Sequence, residues 1–305
     1  MALFESLPDS VSVYEVSPRD GLQNEGSQVP TPRKLRLIEA LVAAGLSRIE
    51  VTSFVSPRWI PQLADAEALL ALLPPDVAQY SALCPNARGF ARAKVTSIRE
   101  LGVFVSASET HNKRNVNDTV ANTLARFADV VGPALENGMR VRGYLSTLWG
   151  CPYEGKVDPQ AGLAIARKLL AMGCYEISLG DTIGVGNPLQ TRDILQLFCG
   201  EIAPQQLALH MHDTRGTALA NVLVGLELGI RTFDAAIGGL GGCPYAPGAA
   251  GNLATEDLVY MLHGMGMQTG IDLDKLWEAG KVAAAVVGHD LSGKVHKAGV
   301  RSLGR

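Results

Sequence analysis

His210-Met211-His212-Asp213 holds more potential chemistry than any other stretch of this sequence. It closes the run LALHMHD at 207–213, which reads as a β-strand. Successive side chains of a strand point to opposite faces, so His210 and His212 share a face, with Cα atoms roughly 6.5 Å apart. Two imidazoles at that spacing can converge on one ion, while Met211 points away. A second pair, Arg19-Asp20, follows another strand-like run, VSVYEVSP at 11–18. Asp20 offers an oxygen ligand, and Arg19 offers a cation for a developing oxyanion. Glu15 has the same parity as Arg19 on that strand, and Glu50 sits in the next one. These acids are expected to orient Arg19.

The third feature is Gly238-Gly239-Leu240-Gly241-Gly242-Cys243-Pro244-Tyr245, with four glycines in five residues. Such a segment is costly to order and would suit a lid that closes over a substrate. Cys243 at its tip is a candidate acid, base or nucleophile. Asn252, just beyond, has a carboxamide oxygen that could complete a metal shell. Two His, one Asp and one Asn oxygen suit a divalent ion with open positions. The oxygen ligands favour Mg2+ or Mn2+, and the imidazoles also admit Co2+ or Zn2+.

Something must bring these residues to one place. Strand-like runs occur at 11–18, 48–54, 79–85, 101–108, 139–147, 175–181, 207–213 and 232–239. Stretches of helical spacing lie between them, for example 32–44, 119–136, 159–172 and 218–228. Alternation of strand and helix calls for a parallel sheet with helical crossovers. Eight such units predict a closed (β/α)8 TIM barrel, an α/β fold, occupying 1–305 as a single domain. Gly45, Gly138, Gly173 and Gly229 follow helices and precede strands, where glycine closes a helix in the left-handed conformation. Polar and charged residues collect instead where strands end, the face on which barrel enzymes keep their chemistry. Helical pattern after residue 254 runs to about residue 287, an eighth helix plus an additional C-terminal helix.

Composition narrows the function classes. The chain has 305 residues, is 47% hydrophobic and carries a net charge of −3. Phosphate-backbone binders carry a basic surplus, so nucleic acid is not expected as a partner. The start, MALFESLPDS, reads as no secretory leader, and no stretch approaches a membrane span. The five cysteines lack CxxC spacing. That points to a reducing, cytoplasmic setting without a disulfide framework or structural zinc. A homo-oligomer is compatible with all of this.

The stretches SPRDGLQNE (17–25), IEVTSFVSPRWIPQ (49–62), RGYLSTLWGCPYEG (142–155), YEISLGDTIGVG (175–186), HMHDTRGTALAN (210–221) and GGLGGCPYAPGAAGNLATEDLVYML (238–262) resemble the 3-hydroxy-3-methylglutaryl-CoA lyase family. That family is one of metal-dependent TIM-barrel lyases, alongside isopropylmalate and homocitrate synthases. The resemblance implies that Asp20, His210, His212 and Asn252 are metal ligands. It implies that Arg19 contacts the thioester and enolate oxygen, and that Cys243 is the reactive loop cysteine. Glu50 and Asp181 match supporting acids, and Tyr144 a tyrosine near the substrate. The implied reaction is a retro-Claisen-type cleavage of an acyl-CoA, with base and acid to be shared among Asp20, His210 and Cys243. Lys113 and Arg114, after the fourth strand, are candidates for the CoA phosphates.

The sequence departs from the family pattern in several loops. Ala236-Ile237-Gly238 replaces Ser-Val-Ala before the glycine loop. Arg215-Gly216-Thr217 replaces Tyr-Gly-Gln, and residues 110–118 differ. Ser146-Thr147 replaces Ser-Cys, followed by Leu148-Trp149. These changes bear on the acyl group. The alternatives are therefore a lyase of a related CoA ester (citramalyl-CoA or a 3-alkyl-3-hydroxyglutaryl-CoA), a condensing synthase, and a catalytically silent binding barrel.

Overall fold

The computed structural model describes residues 7–242 and 250–300. Eight strands alternate with helices: β1 (Ser12–Glu15), β2 (Arg48–Ser53), β3 (Gln79–Leu83), β4 (Glu100–Ser106), β5 (Arg140–Ser146), β6 (Glu176–Asp181), β7 (Leu207–Met211) and β8 (Thr232–Ala235). They pair in sequence order, all parallel, and β8 returns to β1 in register from Ser12↔Thr232 to Glu15↔Ala235. The barrel is closed, as the alternation predicts. Residues of β5 to β8 are buried on both faces apart from Arg140, which is why these strands read as near-continuous apolar runs.

The helices are α1 (Thr31–Ala43), α2 (Ala66–Leu72), α3 (Ala87–Ala93), α4 (Glu109–Val116), α5 (Val120–Glu136), α6 (Pro159–Met172), α7 (Pro188–Cys199), α8 (Ala218–Glu227), α9 (Thr255–Gly264), α10 (Leu273–Val287) and α11 (Lys294–Ala298). Their starts are written locally. Thr119, Asp158 and Asn187 each accept a hydrogen bond from a first-turn amide, and α6 and α7 open on proline. Of the predicted closing glycines, Gly45 at φ 97° is the most constrained: a Cβ there would lie 2.4 Å from the Gly270 carbonyl oxygen. That approach lets α10 pack against α1 and close the outer ring.

The C-terminal region holds the expected eighth helix, α9, and the added helix, α10, which ends at Val287. The pattern after residue 254 is broken between α9 and α10, where Gly266 and Gly270 take φ of 82° and 75°. The short α11 is a further element. Its few residues carry too little periodicity to register in sequence.

The lower barrel interior is charged. Arg142, fully buried, grips Asp234 through both terminal nitrogens at 3.1 and 2.7 Å and donates to Glu176 at 2.7 Å. Arg48 reaches the same Glu176 at 2.9 Å. This layer satisfies its own charges and forms the floor of the site above it. Among the described residues, no helix is long and apolar enough to cross a membrane.

Candidate metal centre and active site

His210 is on β7 and His212 just beyond its end. As predicted, they share a face: their ring centroids are 5.3 Å apart. Met211 is buried on the other side. Asp20 arrives from the loop after β1, and one donor atom from each of Asp20, His210 and His212 lies within 4.8 Å of the others. Asn252 completes the corner. Its carboxamide nitrogen donates to Asp20 Oδ2 at 2.7 Å and to the Leu240 carbonyl at 3.0 Å, which leaves its oxygen for another partner.

The protonation states fit a cation. Burial, then the neighbouring His210, lowers the His212 imidazole to about 3, so it is neutral and able to ligate at neutral pH. Burial alone would raise Asp20, but Arg19, His210 and His212 outweigh it and hold the carboxyl at about 2. His212 keeps a buried Nδ1 with no hydrogen-bond partner, and His210 turns its Nε2 toward Asp20 Oδ2 at 4.0 Å. An unpartnered buried nitrogen beside an ionised carboxylate is what a divalent ion would relieve.

Arg19 and Asp20 do not belong to β1. They sit in a π-helical turn, Ser17–Gly21, in which the Val16 carbonyl accepts from the amides of Arg19, Asp20 and Gly21. Such turns occur often at functional sites. The two-residue parity argument therefore fails for Glu15. Its carboxylate accepts from the Ser17 and Ile237 amides, each at 3.0 Å, and from Thr255 Oγ1 at 2.6 Å. Glu15 thus pins the turn to the chain after β8 and does not orient Arg19. Glu50 does: it binds Arg19 Nε, while Asp20 takes Nη1 at 2.7 Å. Nη2 has no partner among the described residues. Tyr144 donates to Glu50 at 3.0 Å, with Arg19 over its ring at 5.8 Å.

Asp181 lies at the end of β6 but spends its carboxylate on the Val185 and Gly186 amides, at 3.1 and 2.7 Å. It shapes the loop beside the site, and its carbonyl accepts from the His212 amide at 3.2 Å. Lys113 and Arg114 lie on α4 and are exposed, with Arg114 over the Tyr153 ring at 4.4 Å. Cys243 falls outside the described residues, as do 244–249, so the lid reading of the glycine loop rests on sequence.

The departures from the family pattern mostly build loops. Trp149 is buried, and its indole donates to Thr191 on α7 at 2.8 Å. Arg215 donates to the Ile183 and Gly184 carbonyls, and Thr217 to that of Gly186.

Sequence reading missed two residues beneath the site. Asp234 Oδ2 lies 3.3 Å from His210 Nδ1, and Arg142 holds Asp234 in place. One signal was present: Asp234 is a lone carboxylate in the otherwise apolar strand TFDAA.

The fold and site together define a (β/α)8 barrel with a mixed imidazole and carboxylate cluster, able to hold a metal ion, at the carboxyl ends of its strands. Residues 10–283 match the HMGL-like family. Two mouse proteins, 3-hydroxy-3-methylglutaryl-CoA lyase, cytoplasmic, and hydroxymethylglutaryl-CoA lyase, mitochondrial, are each 50% identical to this chain. Both alignments cover 96% of it and 85% and 90% of the relatives. A solved HMG-CoA lyase from Acinetobacter baumannii, in complex with coenzyme A and 3-methylmalate, superposes with a TM-score of 0.91 at 43% identity, covering 100% of this chain and 99% of that one. The chain belongs to the HMGL-like family.

Proposed function

We propose that this chain is a hydroxymethylglutaryl-CoA lyase that cleaves 3-hydroxy-3-methylglutaryl-CoA to acetyl-CoA and acetoacetate. The observation that carries this reading is the meeting of Asp20, His210 and His212 within 4.8 Å, next to a buried Arg19, in a chain half identical to curated lyases. Asp20, His210, His212 and the Asn252 carboxamide oxygen would hold Mg2+ or Mn2+. A divalent ion held there would acidify the substrate hydroxyl and orient it.

The chain's own residues supply the rest. Asp20 or His210 removes the proton of the substrate's tertiary 3-hydroxyl. The resulting alkoxide forms the ketone carbonyl as the C2–C3 bond breaks, and the electron pair passes to the thioester as an enolate. Arg19, fixed by Glu50 and Asp20, faces that enolate oxygen, and fixed charges cost no reorganisation during reaction. Cys243 or His210 returns a proton to the enolate carbon, giving acetyl-CoA. Tyr144 and Asp181 support this geometry from the wall and the neighbouring loop. Lys113 and Arg114 take the CoA phosphates, and the whole chain acts as one catalytic domain, alone or as a homo-oligomer. A cytoplasmic location agrees with one of the two mouse relatives.

Incubation with 3-hydroxy-3-methylglutaryl-CoA and Mg2+ or Mn2+, beside citramalyl-CoA, tests the reading. Acetoacetate is expected from the first. Cleavage of citramalyl-CoA alone would move the assignment to a related CoA ester.

A further inference from the structure

The residue after His212 is bound to the far end of the chain. Asp213 is buried, and Lys294 Nζ, from the first residue of α11, pairs with its Oδ2. The same Nζ lies 3.9 Å from Asp257 Oδ2 on α9. Asp257 in turn accepts from the backbone amides of Lys294 at 3.0 Å and Val295 at 2.6 Å, which fixes the start of α11. The other Asp213 oxygen accepts from the Ala218 amide at 3.1 Å, and the Asp213 amide donates to the Gly251 carbonyl at 2.8 Å. Gly251 immediately precedes Asn252. Through its backbone amide Asp213 therefore ties the end of β7 to the return limb of the glycine loop, and Lys294 neutralises its carboxylate.

The segment leading into α11 holds the other limb of that loop. Leu291 covers Gly238 so closely that a Cβ there would meet it at 2.2 Å. The Gly293 amide donates to the Gly238 carbonyl at 2.9 Å, and Ser292 Oγ reaches the same oxygen at 3.3 Å. Residues 291–294 thus touch the outgoing limb of the loop and Asp213, the neighbour of His212.

We propose that Lys294 is a positioning residue for the metal centre, acting through Asp213 on His212 and Asn252. This rests on the metal reading given above. Without the ammonium, Asp213 would keep a buried charge with Asp257 nearby and no cation between them. A buried carboxylate that loses its partner is strongly disfavoured, and it shifts its surroundings to recover solvent. The neighbours that would move are His212, bonded to Asp213, and Gly251, which its amide holds and which leads into Asn252. An exposed ion pair between two surface side chains would contribute little. The Lys294 side chain is exposed, and it is the burial of Asp213 alone that sets this pair apart.

Mn2+ binding to the intact protein, followed by electron paramagnetic resonance, tests the proposal without reference to turnover. Lys294→Met is expected to weaken Mn2+ roughly 10–100-fold, as loss of a partner outside the ligand shell does in other metal sites. Lys294→Arg should retain most of the affinity, and excess Mn2+ should restore kcat to Lys294→Met. Asp213→Asn removes the carboxylate that Lys294 neutralises while keeping an oxygen for the Ala218 amide, so adding it to Lys294→Met should restore most of the Mn2+ affinity. Lys294→Gln carries the test if Lys294→Met fails to fold. Folded Lys294→Met or Lys294→Gln that binds Mn2+ like the parent overturns the proposal alone. A parent protein that binds no Mn2+ overturns the metal reading and the proposal together.

Discussion

Asp234 Oδ2 stands 3.3 Å from His210 Nδ1 while Arg142 grips both Asp234 oxygens from below. The approach is not aligned as a hydrogen bond, yet it sets a fixed negative charge against the ring that faces Asp20. Burial would raise the Asp234 carboxyl, but Arg142 dominates and holds it well below the usual carboxylate range. The candidate metal centre therefore rests on a column of buried charges.

Asp234→Asn should damage both stability and the site. Arg142 would lose one of its two buried counter-charges, Glu176 remaining, and breaking such a buried pair costs about 3–5 kcal/mol. His210 would lose the charge that orients it, weakening metal binding roughly 10-fold or more. Urea unfolding and Mn2+ titration of the variant measure the two effects. Unchanged values in both would mean that the column only fills space.

Chelation should abolish cleavage, and Mg2+ or Mn2+ should restore it. His212→Ala removes one of few protein ligands and should raise the metal concentration needed for half-maximal rate. Full activity in the metal-free protein would remove the ion from the reaction.

Arg19→Gln keeps a hydrogen-bond donor and removes the charge. A single contact of this kind often contributes roughly 10²–10³ in kcat. The expected loss is in kcat, with Mn2+ affinity nearly preserved. A change confined to KM would make Arg19 a docking group.

Thiol alkylation should inactivate the protein through Cys243, and substrate analogues should slow it. Cys84 and Cys174 are buried thiols pushed up to about 12 by burial, and they should react far more slowly. Cys243→Ala should cut turnover sharply and leave metal affinity alone. Near-normal turnover would reduce the loop to a cover.

Glu256 gives a pH signature. Burial, opposed by the Gly238 amide and reinforced by the Glu15 and Asp257 carboxylates, pushes it up to about 8. Between the ordinary glutamate value and about 8, the folded chain holds a proton here that the unfolded chain has released. Stability from this group is thus greatest in acid and falls as pH rises through that window, by about 1.4 kcal/mol per unit. Glu256→Gln should flatten the dependence and be relatively more stable at pH 9 than at pH 5. Parallel unfolding curves for the two proteins at both pH values would refute this.

The parts of the site that lie on regular elements were legible in the sequence. The His210 and His212 pair follows from strand alternation, and all eight strands carry apolar runs that announce them. Glu15 was misread because β1 stops at Glu15 and a π-helical turn follows, so parity no longer predicts direction. Asp234, Arg142 and Lys294 were not anticipated because their roles depend on partners in distant segments. Arg142 and Asp234 are 92 residues apart, and Lys294 and Asp213 are 81 apart. No local pattern encodes such pairings.

Asp20 and Asn252 are separated by 232 residues, and Glu15 and Thr255 by 240. Asp20 therefore leaves the ribosome long before Asn252, and an N-terminal fragment lacks part of the proposed ligand set. Contacts of such long range close late, after the loop entropy between them has been overcome. A chain stalled before β8 and α9 could form much of its sheet, but it would lack Asn252 and remain without a complete site.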